Sequence, residues 1–130
     1  LDRVIIDHEN KIVKLVDIKT TISTTDFLKS FEEYDYARQL CFYWSALYWY
    51  FKNELGIDIE EYSPETYIIA IQNSNSAVRV FRIDEDVILS KQNKIINTIS
   101  EILWHKENDK WDYKRQYYEG DGAESLLYEY

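Results

Sequence analysis

The chain has 130 residues, enough for one domain with a modest core, and its 45% hydrophobic and 30% charged residues are typical of a folded, soluble protein. No apolar run approaches the roughly 20 residues that a membrane-spanning helix needs. The only cysteine, Cys41, excludes an intramolecular disulfide and a zinc site built on paired cysteines, and it fits a reducing cytoplasm. The net charge of −9 argues against a large nonspecific nucleic-acid surface, although a local basic channel or an acidic metal site stays compatible with it.

The start of the chain is unusual, because it begins with Leu1 and contains no methionine. Since a gene product normally starts with methionine, the sequence predicts a fragment or a processed product. The residues Leu1-Asp2 have the character of the middle of a strand, which again suggests that a preceding segment is missing.

Two strands are predicted at the start of the chain, over residues 2–7 and 12–19, where β-branched residues dominate. The short polar link between them, His8-Glu9-Asn10-Lys11, predicts an antiparallel hairpin. A turn centred on Glu9-Asn10 gives a register in which Val4 lies opposite Leu15. One face of this hairpin is then apolar and is expected to be buried.

That apolar face ends in a group of charged residues. The same register places Asp2 opposite Asp17, and Lys19 follows on the same face because side chains alternate along a strand. Like charges directly opposite each other on a sheet are destabilising, so the two carboxylates need a partner, and a divalent cation is a natural one. Taken alone, Asp17 and Lys19 favour a solvent-exposed ion pair of little energetic value, and the metal site is favoured only when Asp2 and the helix that carries Gln39 are added.

The remaining pattern predicts an α/β fold with a mixed sheet and the order ββααββα. A capped helix is expected after a threonine-rich loop, and a long helix is expected to stop at Gly56. The predicted elements are a helix at 26–31 capped by Thr24 or Thr25, a helix at 35–54, a loop at 57–65, a central strand at 67–72, a turn at 73–76, a strand at 77–83, a helix at 84–107 and partly irregular structure at 109–130.

Three motifs give this pattern a specific resemblance. The first is Asp2 at the start of a strand, the second is Asp17-Ile18-Lys19-Thr20-Thr21 at a strand end, and the third is the helical segment Tyr36-Ala37-Arg38-Gln39-Leu40-Cys41-Phe42-Tyr43. Together and in this order they resemble the PD-(D/E)xK nuclease superfamily, in its RecB-type and phage-type exonuclease branch. The resemblance covers roughly residues 1–85.

The resemblance implies a restriction-endonuclease-like core, in which helices flank a mixed central β-sheet. The family usually has a helix before the first metal-site strand, and that N-terminal helix is missing from this chain. The expected organisation is therefore a single, N-terminally truncated nuclease-like domain over residues 1–130.

The resemblance also implies a metal site and a set of catalytic residues. Asp2, Asp17 and the backbone carbonyl of Ile18 would bind Mg²⁺, with Mn²⁺ as an alternative. Magnesium prefers hard oxygen ligands and often uses only one or two carboxylates, which suits this set. Lys19 would orient or activate the attacking water, and Gln39 would complete the catalytic group by holding Lys19 or a phosphate.

The third motif is expected to bind the substrate. Tyr36, Gln39 and Tyr43 recur on one face of a helix, and the resemblance implies contacts with the DNA backbone. The expected function is a magnesium-dependent DNA exonuclease of phage or prophage recombination or DNA repair, located in the cytoplasm. Homo-oligomerisation and a recombination (annealing) partner protein follow from the same analogy.

Two other functions fit the same residues. One is a catalytically inactive PD-(D/E)xK-like domain that binds nucleic acid or protein, which the missing front segment and the negative charge favour. The other is an unrelated acidic interaction domain in which Asp17 and Lys19 merely pair.

Overall fold

The computed structural model describes residues 1–124 and 126. It confirms a mixed α/β architecture with a four-stranded mixed sheet flanked by helices. The chain divides into two compact units, Leu1–Gln92 and Asn93–Tyr130, and the sheet belongs to the first. The assignment of one nuclease-like domain to residues 1–130 stays a prediction.

The described part of the chain contains four β-strands, five α-helices and two short helical turns. The elements are β1 (Arg3–Asp7), β2 (Ile12–Thr21), α1 (Phe27–Glu33), α2 (Tyr36–Tyr50), a π-helical turn (Phe51–Leu55), a 3₁₀ turn (Ile59–Glu61), β3 (Ser63–Gln72), β4 (Val78–Ile83), α3 (Glu85–Leu89), α4 (Gln92–Asn108) and α5 (Arg115–Glu119).

The predicted hairpin and its register are confirmed. β1 and β2 pair antiparallel, with Val4 opposite Leu15, and the turn is closed by Asp7, which accepts hydrogen bonds from the backbone and side-chain nitrogens of Asn10. These two bonds hold the pKa of Asp7 below its usual value. The register continues outward to Asp2, whose backbone N–H donates to the carbonyl of Val16.

The two central strands run parallel and form the middle of the sheet in the first unit. The sheet order is β1-β2-β3-β4, in which β2 and β3 are parallel and both edge strands are antiparallel to their neighbours. Parallel neighbours need a long crossover, and here the connection carries α1 and α2. The prediction that the third strand is central is confirmed.

The helices α1 and α2 cover one face of this sheet. Alternate positions of β2 and β3 point towards them and are buried, as the two-residue period of a strand requires. Trp44 of α2 donates its indole N–H to the hydroxyl of Thr66 on β3 at 2.8 Å, deep in this layer. The buried apolar side chains of this unit are Val13, Leu15, Phe27, Ala37, Leu40, Cys41, Trp44, Leu47, Phe51, Ile59, Tyr62, Ile68, Ala70 and Ile88.

The opposite face of the sheet is more open. Ile18 and Val80 on this face are exposed, and Ile69 between them in the register is partly exposed. The sheet therefore buries apolar side chains on the face under α1 and α2 and exposes some of them on the other face.

The long helix α2 forms because apolar residues recur at steps of three and four and produce one buried stripe. It continues through the π-helical turn and ends at Gly56, whose φ of +62° is left-handed. A glycine adopts that conformation without the steric cost that other residues meet. The predicted terminator is thus confirmed.

Three predicted boundaries were wrong. Neither Thr24 nor Thr25 caps α1, because Asp26 occupies that position without a side-chain bond, and the N–H and hydroxyl of Thr24 both donate to Gln72 instead. β3 starts at Ser63 rather than at residue 67, since its pairing with β2 extends into the predicted loop.

The third boundary lies in the predicted helix at 84–107, which is interrupted. α3 ends at Leu89 and α4 starts at Gln92. At the break, the hydroxyl of Ser90 donates to the carbonyl of Val87 at 2.6 Å, a local bond that competes with helical pairing.

The second unit consists of most of α4, then α5 and the aromatic residues between them. Arg115 lies over the ring of Trp104 and pairs with Glu119 at 2.7 Å, while the rings of Tyr113 and Tyr117 stack at 4.1 Å. The expected irregular structure at 109–130 is interrupted by α5, and its part at residues 125 and 127–130 lies outside the described residues.

Within the described ranges, 1–124 and 126, no helix is both long and apolar enough to cross a membrane.

Candidate functional site

The candidate site lies at the end of β2, where the buried face of the strand turns from apolar to charged. Val13, Leu15 and Asp17 point the same way, and all three are buried. Asp17 is only 3% exposed, which is rare for a carboxylate and costly unless a partner offsets it. The strand phase, set by the apolar residues before it, therefore forces this acid into the interior.

The partner of Asp17 is Lys19. Its Nζ lies 3.0 Å from Oδ2 of Asp17, and the main-chain nitrogen of Leu1 lies 3.4 Å from Oδ1. Oδ2 is nevertheless buried without a hydrogen bond of ordinary geometry from any described residue, so Lys19 balances its charge without aligning a donor on it. Oδ2 of Asp17 therefore has lone pairs that no hydrogen bond uses and that a further ligand could occupy.

Lys19 is fixed from three sides. Besides the contact with Asp17, its Nζ donates to Oε1 of Gln39 at 2.6 Å and lies 4.6 Å from the centre of the Tyr36 ring. Both of these residues belong to α2, so the crossover helix holds the lysine over the strand end. A lysine ordered in this way loses the freedom that a surface lysine keeps, and its charge stays directed at the Asp17 corner.

Asp2, the residue before β1, joins the same corner. Its Oδ2 accepts the backbone N–H of Ile18 at 2.7 Å. This bond is the main cause that holds the pKa of Asp2 below its usual value, and the side chain of Asp17 is the second cause. Asp2 is therefore favoured in its charged form.

The donor set suits a hard divalent cation. Asp17 on β2 and Asp2, the residue before β1, bring two carboxylates to this corner, and Asp17 keeps a buried oxygen without a hydrogen bond. Magnesium is commonly bound by one or two carboxylates with water completing the shell. Among residues 1–124 and 126, no group of three or more His, Cys, Asp or Glu side chains is arranged to hold a metal ion, so any cation here would depend on this pair and on backbone oxygen.

The residues predicted from sequence are not all brought together. Asp2, Asp17, Lys19, Gln39 and Tyr36 form one connected group through the contacts above. Ile18 contributes its backbone to this group, while its side chain points to the other face of the sheet.

Tyr43 is the exception among the predicted residues. It lies on α2 and is half-buried, but no hydrogen bond or ring contact within the described chain links it to the group around Lys19. Its predicted substrate contact stays a prediction.

Sequence reasoning did not single out the rings behind Tyr36. Phe27 of α1 stacks on Tyr36 at 6.1 Å and on Phe81 of β4 at 5.1 Å, and Tyr34 stacks on the outer side of Tyr36 at 5.8 Å. The only sequence signal for this stack was that Tyr34 and Tyr36 lie on either side of Asp35, at the boundary between two helices. The signal could not be interpreted without the conformation of the turn at Asp35.

A polar cleft of about 800 Å³ in the second unit contains none of the predicted site residues. Its lining includes Lys114, Arg115 and Glu119, and Arg115 is already paired with Glu119 and with Glu101. The guanidinium of Arg115 is therefore held by acidic side chains of the cleft lining.

Comparisons with protein-family models, curated proteins and solved structures found no match to this chain.

Proposed function

We propose that this chain carries a metal-dependent phosphodiesterase site of the PD-(D/E)xK type and acts on DNA as an exonuclease in recombination or repair. The observation that supports it best is the arrangement of Lys19, whose Nζ lies between Asp17 at 3.0 Å and Gln39 at 2.6 Å at the end of a central strand. A restriction-endonuclease-like core is part of this proposal.

The proposed roles follow from the contacts of each residue. Asp2 and Asp17 would hold Mg²⁺ or Mn²⁺. The resemblance adds the backbone carbonyl of Ile18 as a third ligand, whereas the contact seen for this residue is the donation of its N–H to Asp2. When bound, such an ion neutralises charge on the phosphate and makes a coordinated water more acidic. The depressed pKa of Asp2 keeps this carboxylate available as a ligand at neutral pH.

Lys19 would then serve the attacking water and the developing negative charge. Because Gln39 and the Tyr36 ring fix the position of the Lys19 ammonium in the folded protein, its conformational entropy is already lost before the substrate binds. Gln39 is a positioning residue in this scheme, since it acts through Lys19.

The alternative is a domain that binds nucleic acid or protein without cutting. The same ion pair favours it, because Lys19 already balances the charge of Asp17 and no third acidic side chain joins the described group. A resident cation is therefore not needed as a counter-charge for Asp17.

A nuclease assay separates the two. The full chain is incubated with linear and circular DNA in Mg²⁺, in Mn²⁺ and in EDTA, together with Asp17→Asn, Lys19→Ala and Lys14→Ala. Lys14 is the matched control, since it lies on the same strand but points to the opposite face. We expect metal-dependent loss of linear DNA that disappears with the first two variants and persists with the third.

Several outcomes would contradict the proposal. Equal degradation by Lys19→Ala would remove the role of that lysine, and degradation of circular DNA would change the exonuclease to an endonuclease. DNA binding by the wild type without cleavage in either metal would favour the alternative. Circular dichroism of each variant shows whether a loss of activity is a loss of fold.

A second measurement reads the metal without activity. A cation that binds only the folded state stabilises it by about 2.7 kcal/mol at a hundred times its dissociation constant. We expect Mg²⁺ to raise the melting temperature of the wild type and of Lys14→Ala but not of Asp17→Asn. An equal rise in all three would place the cation elsewhere.

A further inference from the structure

A column of four near-parallel aromatic rings lies beside Lys19. It starts at Phe81 and Phe27, whose planes differ by 15°, continues to Tyr36 at 24°, and ends at Tyr34 at 28°. Phe27 is 3% exposed and Phe81 is partly exposed, whereas Tyr34 is 63% exposed. The column is therefore anchored by the buried ring of Phe27 and open at Tyr34.

The outer end is placed by the corner between α1 and α2. Tyr34 follows the last residue of α1, and Asp35 then adopts a left-handed backbone conformation with a φ of +51°. This turn brings Tyr34 and Tyr36, two residues apart, into a stack. Asp35 is held by Arg38 at 3.6 Å and by Lys91 at 3.1 Å, so the corner is braced and its charge is balanced.

The column also contacts the candidate site directly. The ring of Tyr36 carries Lys19 Nζ at 4.6 Å, and Tyr34 is the next ring outward. We propose that Tyr34 is a stacking platform for an unpaired nucleobase, so that the site takes a single-stranded or frayed DNA end. This inference rests on the proposed function, because it names the substrate that the same site would receive.

The chemistry favours a base over a phosphate at this position. An exposed ring that is already backed by other rings offers a rigid π-face, and every unpaired base has a matching one. Glu32 and Glu33 precede Tyr34 and are exposed, and the chain carries a net charge of −9, so a long phosphate track is disfavoured here. A base held by stacking needs neither sequence-specific hydrogen bonds nor a basic groove.

The test measures binding with two DNA ends. A duplex with an unpaired terminal 2-aminopurine and a blunt duplex are titrated with the full chain in EDTA and separately in Ca²⁺. Base stacking typically contributes about 1–3 kcal/mol per base, so Tyr34→Leu is expected to weaken binding of the unpaired end by about 5- to 150-fold. Binding of the blunt duplex is expected to change less than twofold.

Further variants separate stacking from a structural role of the ring. Tyr34→Phe and Tyr34→Trp should retain the affinity and the fluorescence quenching of 2-aminopurine, whereas Tyr34→Leu should lose both. Tyr50→Leu is the matched control, since Tyr50 is also exposed but contacts Phe51 rather than the column. Wild-type affinity and quenching in Tyr34→Leu would overturn the inference.

Cleavage in Mg²⁺ is scored separately, so that the two proposals can fail independently. A wild type that does not cut but loses unpaired-end binding with Tyr34→Leu would refute the nuclease and keep the platform. A wild type that cuts, with Tyr34→Leu cutting and binding both ends equally well, would keep the nuclease and refute the platform. Absence of binding to either DNA would overturn both.

Discussion

The contact between Lys19 and Asp17 predicts a stability effect that is measurable without any substrate. The side chain of Asp17 is 4% exposed and that of Lys19 is 18% exposed, so the change Lys19→Met leaves a carboxylate inside the protein without its cation. Breaking a buried pair in this way costs about 3–5 kcal/mol. Since water reaches Lys19, we expect a loss near the lower end, about 3 kcal/mol of the free energy of unfolding.

The pair itself is expected to be dispensable for folding. In the double variant Asp17→Asn with Lys19→Met, no charge is left buried, and its stability should lie within about 1 kcal/mol of the wild type. The coupling energy of the double-mutant cycle is then at least about 2 kcal/mol, and any cost of Asp17→Asn alone adds to it. Urea denaturation in EDTA measures all four proteins, and Lys14→Met, on the opposite face of the same strand, should change stability by less than about 0.5 kcal/mol.

The result that refutes this reasoning is a coupling energy below about 0.5 kcal/mol, because that value is typical of exposed ion pairs. Asp17 would then be hydrated in solution rather than buried against Lys19. The proposed metal site would then lack the buried Oδ2 of Asp17 as a ligand.

Three further predictions concern the scaffold. Thr66→Val leaves the buried indole N–H of Trp44 unpaired and should cost about 1–3 kcal/mol by urea denaturation, and a loss no larger than that of an exposed threonine-to-valine change would contradict the 2.8 Å bond. Gly56→Ala meets no atom within 4 Å but must adopt a φ of +62°, so thermal unfolding should show a cost of about 1–2 kcal/mol, with a smaller cost for asparagine. The hydrogen bonds from Asn10 lower the pKa of Asp7, so the stability that Asp7 contributes is present above the pKa of this group in the unfolded chain and is lost as the pH falls through its pKa in the folded chain. The difference in unfolding free energy between the wild type and Asp7→Asn should therefore shrink in acid. A difference that does not depend on pH would refute this.

The register of the hairpin was predictable because a short polar turn fixes the pairing and the alternation fixes the faces, although β1 starts at Arg3 rather than Asp2 and β2 continues to Thr21. Val4 lies opposite Leu15 as expected, and the same arithmetic brought Asp2 and Asp17 to one corner. The contact between Lys19 and Gln39 could be anticipated only through the resemblance, since no local pattern relates a strand to a helix twenty residues away.

What could not be predicted depends on tertiary contacts. Threonine is a common capping residue, but the N–H and hydroxyl of Thr24 both donate to Gln72 of β3 instead of capping α1. The strand β3 starts early because β2 offers a partner as far back as Ile12. The break after Leu89 and the stack of Tyr34 on Tyr36 both follow from local backbone geometry that hydrophobic spacing does not encode.

The parallel pairing of β2 with β3 has a consequence for how the site comes into existence. The β1–β2 hairpin can form early from local contacts, and it brings Asp2 and Asp17 together while the chain is still largely unfolded. Gln39 and Tyr36 reach Lys19 only when the crossover closes, a non-local step that is intrinsically slow. Lys19 should therefore become ordered in the same kinetic phase in which β2 and β3 pair. Asp2 and Asp17 should come together in an earlier phase.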